Sequence, residues 1–262
     1  MEKTNLAGVS TFVRRTGAGP PMVLLHGPGA HGGEWQRVVP ELARDWSVVV
    51  PDLPGQGEST VDGRIDAPLV LDWLDALIAE TCDAPPVLVG HLVGGAIAAR
   101  YAAENRRPLA SLVLVVPFGL SDFDPAPAFG AALNAYLEAP SGERHDDLWR
   151  QCVRDLDGLR TTMGAQWERL RAYNLDLVRT PAVAAGMRAL MAEFGMPAIP
   201  PDVLGRIAMQ TSLIWGSDDA IVPVSVGRAA SRRYGWPLTV IPDAANEPAI
   251  EQPEAFLKAL AS

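Results

Sequence analysis

Six short segments of this chain are apolar at nearly every position. They are "PMVLLHG" (Pro21 to Gly27), "SVVVPDL" (Ser47 to Leu53), "PVLVGHL" (Pro86 to Leu92), "SLVLVVP" (Ser111 to Pro117), "TSLIWGS" (Thr211 to Ser217) and "PLTVIPDA" (Pro237 to Ala244). A strand with one face in water alternates polar and apolar side chains, whereas a strand covered on both faces has no need to. These segments therefore predict a mostly parallel sheet flanked by helices. Helical spacing in "DAPLVLDWLDALIAE" and "VGGAIAARYAAE" supplies crossovers, so an α/β architecture of right-handed βαβ units is expected. "VSTFVRRTGAG" near the start reads as an antiparallel edge element.

The alternation stops after Pro117. From Asp122 to Pro201 the stretches "FGAALNAYLEA", "RHDDLWRQCVRDLDGL", "MGAQWERLRAYNLDLV" and "AVAAGMRALMAEFG" read as helices bounded by prolines. The expected organisation is a core of residues 1–121 and 202–262 with a helical cap, residues 122–201, inserted between two core strands. Trp149, Trp167, Tyr136 and Tyr173 lie on that cap, to pack it or to face a ligand. His145, beside Asp146 and Asp147, is expected on a solvated cap helix.

Charge narrows the partners. Lys and Arg total 22 against 31 Asp and Glu, a net charge of −9. That balance disfavours nucleic acid and anionic membrane surfaces as partners. Cys82 and Cys152 form neither a disulfide framework nor a metal-type spacing, so no metal is expected. "MEKTNLAGVS" has no basic region followed by an apolar one, and no apolar run is long enough to cross a bilayer, so a cytoplasmic location is expected. The pattern specifies no oligomeric state.

Ligands of parallel α/β sheets collect beyond the carboxyl ends of the strands. The residues following each predicted strand are "HGPGAHGG" (His26 to Gly33), "DLPGQGES" (Asp52 to Ser59), Gly90-His91-Leu92-Val93-Gly94, "IWGSDDAIVP" with Asp218 and Asp219, and "DAANEPAIEQPEAF" (Asp243 to Phe256). In these loops, and in their order, the chain resembles the α/β-hydrolase superfamily. "HGPGA" and "DLPGQGES" are especially similar to the loops of epoxide hydrolases, haloperoxidase-like esterases and carbon–carbon bond hydrolases. The resemblance covers nearly the whole chain outside the cap. It implies an α/β-hydrolase fold with an inserted helical cap and a mostly apolar pocket between them. No cofactor is indicated, and a small hydrophobic substrate is the expected partner.

Position by position, the resemblance puts Leu92 where the family's G-x-S-x-G turn carries its nucleophile. A leucine offers neither lone pair nor acidic proton. The family's acid falls on Asp219, and its histidine slot holds Asn246, an amide that cannot shuttle a proton near neutral pH. Asp219 facing Asn246 serves either as a structural hydrogen bond or as a general base. Oxyanion-type donors are expected from the N–H of Val93 and, because Pro28 has none, from Gly29 or a neighbour. Leu92, His31 and Trp35 are candidates to contact substrate, with Trp35 equally suited to loop packing; His26 is expected to hold its loop and His91 to pack beside the turn.

With two of three triad positions altered, the function expected first is a non-hydrolytic catalyst, a lyase, cyclase or isomerase acting on a small hydrophobic carbonyl compound. Alternatives are a hydrolase with an unconventional water-activating group such as Asp219, and a catalytically dead binding protein.

Overall fold

The computed structural model describes residues 2–261. One sheet organises the molecule. Its strands are β1 (Glu2–Leu6), β2 (Val9–Thr16), β3 (Pro21–Leu25), β4 (Ser47–Pro51), β5 (Thr60–Val61), β6 (Val87–His91), β7 (Ser111–Val115), β8 (Thr211–Gly216) and β9 (Leu238–Ile241). The spatial order is β1-β2-β4-β3-β6-β7-β8-β9, with β5 paired to β2. Each of the six apolar segments contains one strand of the parallel portion, β4-β3-β6-β7-β8-β9. Val23, Leu24, Leu88, Val89, Leu112 and Leu213 are wholly buried, as strands covered on both faces require.

The start of the chain differs from expectation. β2 is antiparallel as predicted, but it is not the edge: β1 pairs outside it and β4 inside it. β1 mixes charged, polar and apolar residues without a run, so no hydrophobic pattern marks it.

Helices α1 (Val39–Leu42), α2 (Ala67–Thr81) and α3 (Val93–Glu104) cross over between the first parallel strands. Between β7 and β8 every regular element is a helix: α4 (Pro127–Glu138), α5 (Gly142–Cys152), α6 (Leu156–Met163), α7 (Ala165–Val178), α8 (Pro181–Leu190) with a π-turn (Met191–Gly195), and α9 (Pro201–Leu204). The predicted helix "RHDDLWRQCVRDLDGL" is broken in two, because Asp155 accepts from the Gly158 N–H and so caps a new start. After β8 follow α10 (Val224–Tyr234), β9, α11 (Pro248–Glu251) and α12 (Pro253–Leu260). A second small core of Val153, Leu156, Leu159, Met163, Trp167 and Leu170 joins the inserted helices around Ile250 of the C-terminal segment. Among the described residues no helix is long and apolar enough to cross a membrane.

Candidate active site

The turn between β6 and α3 is built from backbone constraints. Leu92 sits at φ 47°, ψ −112°, outside the regions an L-residue favours. Such a conformation costs about 1–3 kcal/mol and persists only where its surroundings over-determine it. Here the Leu92 N–H donates to Val115 O (3.1 Å), while its carbonyl accepts from the N–H groups of Ala96 (3.0 Å) and Phe118 (3.1 Å). Glycines make the approach possible. A Cβ on Gly94 would stand 2.6 Å from the carbonyl oxygens of both His26 and Leu25, and one on Gly90 would stand 2.4 Å from Gly94 O. The chain thus keeps a strained, glycine-dependent turn whose side chain is a leucine. Val93, the first residue of α3, presents its N–H here without an acceptor inside the helix.

Around the turn lie three buried polar arrangements. His26 Nδ1–H donates to Gly27 O (2.7 Å) and Nε2 accepts from the Leu53 N–H (2.9 Å), tying two strand-end loops together as expected. His91 places Nδ1 at 2.8 Å from Glu34 Oε1 and Nε2 at 2.9 Å from Asn246 O. Both partners are acceptors, so both ring nitrogens donate and the ring is an imidazolium. Burial opposes that charge, but Glu34, Glu247 and the two hydrogen bonds outweigh it and hold His91 up at about 9. Burial likewise works against the Glu34 carboxylate, and the His91 charge overcomes it, bringing Glu34 below its ordinary value.

Glu247 completes this cluster. Its carboxylate, His91 and Glu34 each bring one ligand-type atom within 4.8 Å of the others. The set has the donor chemistry of a cation site, but both His91 nitrogens are already hydrogen-bonded. Burial pushes Glu247 up to about 8, because the imidazolium is matched by Glu34 first. Unlike Glu34, its side chain has no hydrogen-bond partner among the described residues, and it lines the large cavity beneath the inserted helices. Nothing in the sequence pattern marked Glu34 or Glu247. The available signal for Glu247 was its place directly after Asn246; Glu34 meets His91 across 57 positions of sequence, which no local pattern reveals.

Asn246 is held on four sides. Its N–H donates to Cys152 O of α5 (2.9 Å), its carbonyl accepts from His91, its Nδ2 donates to Asp219 Oδ2 (3.2 Å), and its outer face lines the cavity. Asp219 is spent differently from the general-base expectation. Oδ1 accepts from the N–H groups of Ile221 (2.8 Å) and Val222 (2.9 Å), Oδ2 takes Asn246, and Asp219 does not line the cavity. It is a buried loop-former because its oxygens already have donors.

The cavity, about 190 Å³, lies between the strand ends and the inserted helices. Its core wall includes Gly29, Leu92, Asn246 and Glu247; its other wall comes from α4, α5, α7 and α8. Two expected side-chain contacts are absent from it. His31 instead caps the 3₁₀ turn Gly32–Arg37, accepting from the Gly33 N–H (3.0 Å) with its ring edge-on to Tyr173 at 4.2 Å. Trp35 is fully buried between His91 and Phe256, the packing alternative. The Gly29 N–H is not free for an oxyanion, because it donates to Gln56 Oε1 (3.1 Å). Gln56 Nε2 in turn donates to Val183 O of α8, so this loop is bound to the inserted helices. His145, expected on a solvated face, is 1% exposed and lines the cavity, because Asp146 and three aromatic rings enclose it.

Residues 22–259 match the family model described as "Alpha/beta hydrolase family". The chain belongs to the α/β-hydrolase family. Within it, the chain is 31% identical over 260 residues to the pimeloyl-[acyl-carrier protein] methyl ester esterase of Chromobacterium violaceum, covering 97% of each protein. It is 29% identical over 241 residues to the 2-hydroxy-6-oxo-6-phenylhexa-2,4-dienoate hydrolase of Comamonas testosteroni, covering 87% of this chain and 81% of that one. The solved structure of a hydrolase of the same name from Rhodococcus sp. strain RHA1 superposes with a TM-score of 0.85 at 23% identity, over 99% of this chain and 96% of that one, and speaks to the fold alone. These family members are enzymes that hydrolyse their substrates. That finding overturns the leading expectation of a lyase, cyclase or isomerase: the altered turn side chain alone does not remove a chain from a hydrolytic family, because a general base can activate water directly, without a serine nucleophile.

Proposed function

We propose that this protein is a hydrolase of small, largely apolar esters in which a carboxyl group, Glu247, activates water directly in place of a serine nucleophile. The observation that carries the reading is Glu247 itself: a carboxyl on the core wall of the cavity, without a hydrogen-bond partner among the described residues, held up at about 8 by burial. Leu92 and Asn246, the side chains at the nucleophile and histidine slots, cannot form an acyl-enzyme or relay its proton. In the proposed step the Glu247 carboxylate removes a proton from water as its oxygen adds to the ester carbonyl. The Val93 N–H faces the oxyanion that forms, and Glu247 then returns the proton to the departing alcohol, giving acid and alcohol. Asp219 keeps the role its bonds support, fixing Asn246.

In the same reading the core (1–121 and 202–262) supplies the reacting groups and the cap (122–201) the substrate enclosure. The substrate is the partner, the location is cytoplasmic, and the step calls on no cofactor, metal or nucleic acid. The test is a panel of p-nitrophenyl and methyl esters assayed across pH, with a fluorophosphonate probe beside it. Expected are a kcat/KM that rises to a plateau through about pH 8, a fall of roughly 10²–10⁴-fold in Glu247→Gln, and no covalent labelling. Stoichiometric labelling, or a Glu247→Gln variant as active as the parent, would falsify the carboxylate mechanism. Binding without turnover of any ester would leave a binding protein instead.

A further inference from the structure

The cap wall of the cavity carries polar groups that the proposed chemistry leaves unused. Tyr136 on α4 is 6% exposed and lines the cavity, yet its buried O–H has no partner among the described residues. Burial pushes its phenol upward, so the proton stays on. His145 on α5 and Asn174 on α7 line the same wall.

Their hydrogen bonds set their states. Arg160 and Arg171 both donate to Asp146 Oδ2 at 3.1 Å. Asp146 Oδ1 lies 3.1 Å from His145 Nδ1. Burial lowers His145 below its ordinary value, so the ring is neutral, with its one proton on Nδ1 toward Asp146. Nε2 is then an acceptor, and Asn174 Nδ2–H donates to it at 3.2 Å. That orientation leaves Asn174 Oδ1 without a partner among the described residues, while the unpartnered Tyr136, whose ring lies 5.8 Å from that of His145, flanks the same imidazole. The ring of Trp149 stacks on His145 at 5.7 Å and closes the wall.

A buried donor left open, as Tyr136 O–H is, is costly unless a ligand meets it, and Asn174 Oδ1 on the same wall is open to accept from that ligand. We infer that this cap wall is a subsite for a neutral hydroxyl, a phenol or terminal alcohol, on the end of the substrate remote from its carbonyl. The hydroxyl accepts from Tyr136 O–H and donates to Asn174 Oδ1. No Lys or Arg lines the cavity among the described residues, and the Asp146 charge is already matched by two arginines, so a carboxylate finds no counter-charge there. The inference rests on the reading that this cavity holds the substrate and extends it to a substrate class: an apolar body with a carbonyl at the core end and a hydroxyl at the cap end.

The test uses ketones, which cannot be hydrolysed, so it does not depend on turnover. Kd values for 4-phenylbutan-2-one, 4-(4-hydroxyphenyl)butan-2-one and 4-(3-oxobutyl)benzoate are measured by titration calorimetry on the parent protein and on Tyr136→Phe. The hydroxylated ketone is expected to bind about tenfold tighter than its parent compound, and Tyr136→Phe, which keeps the ring, to erase most of that difference. Equal affinities, no binding of either neutral ketone, a preference that survives Tyr136→Phe, or tighter binding of the benzoate overturns the assignment. A preference that Tyr136→Phe erases, in a protein that hydrolyses no ester, keeps the subsite and removes the hydrolase reading.

Discussion

The two walls of the cavity are built on opposite principles. On the core wall, precision lies in the backbone: Leu92 is held at a strained φ, ψ by three main-chain hydrogen bonds and by glycines that let α3 approach β3 and β6. On the cap wall, precision lies in side chains: two arginines hold Asp146, Asp146 holds His145, and His145 holds Asn174. The comparison teaches why the turn outlived its usual side chain. A geometry set by main-chain bonds and close packing does not depend on what the turn residue carries, and here it is held with a leucine in place. A geometry set by a side-chain relay would be lost with its first substitution.

The sharpest way to break this contrast is at Gly94. The Cβ of any larger residue would meet two backbone carbonyl oxygens at 2.6 Å, atoms that cannot move without opening the sheet. Gly94→Val is therefore expected to abolish cooperative unfolding, measured by circular dichroism. A soluble, cooperatively folding variant would show that the turn is less constrained than its contacts require.

A smaller effect separates the walls by pH. Glu247 binds its proton up to about 8 in the fold, against an ordinary 4.5, so the folded state retains a proton that the unfolded chain has lost. Stability is then lost as pH rises through that window. His91, held at about 9 against 6.5, acts in the same direction: its contribution is complete below 6.5 and disappears as pH rises through about 9. The melting temperature is expected to fall between about pH 5 and pH 9, and Glu247→Gln to flatten the lower part of that fall while changing little at the acid end. A parent protein whose melting temperature stays level over this range would remove the buried-charge account of the core wall.

The smallest expected effect is at Gly130, the fourth residue of α4. A Cβ there meets nothing within 4 Å. Gly130→Ala is expected to stabilise the protein by about 0.5–1 kcal/mol in denaturant unfolding, since glycine in a helix interior carries an entropic cost that alanine avoids. Destabilisation there would mean that the cap helices, too, are fixed by close backbone approach.

The parallel sheet was legible in the sequence because continuous apolar runs have one physical cause, burial on both faces, and each of the six runs contains a strand. The turn was legible too, since glycines at 90, 94 and 95 around Leu92 admit few other conformations. β1 was not, because an edge strand need not be apolar. His31 and Trp35 were placed at the cavity by their loop, but a loop near a site has a face that turns away, and theirs packs on Tyr173 and Phe256. Sequence position alone left open whether the Gly29 N–H was free; only the fold brings Gln56, 27 positions away, to accept it.

By itself, then, the sequence determined the sheet, the helical insertion and the absence of a hydroxyl at the turn, because these depend on local periodicity and on residue identity. Tertiary structure alone decided that the Glu247 side chain has no hydrogen-bond partner among the described residues, that His91 is an imidazolium and that His145 is buried and neutral. Protonation is set by what lies within a few ångströms, and here those neighbours are distant in sequence: Glu34 for His91, Asn174 for His145. The chemistry available at a site depends on charge and desolvation, and those belong to the folded neighbourhood rather than to any residue in it.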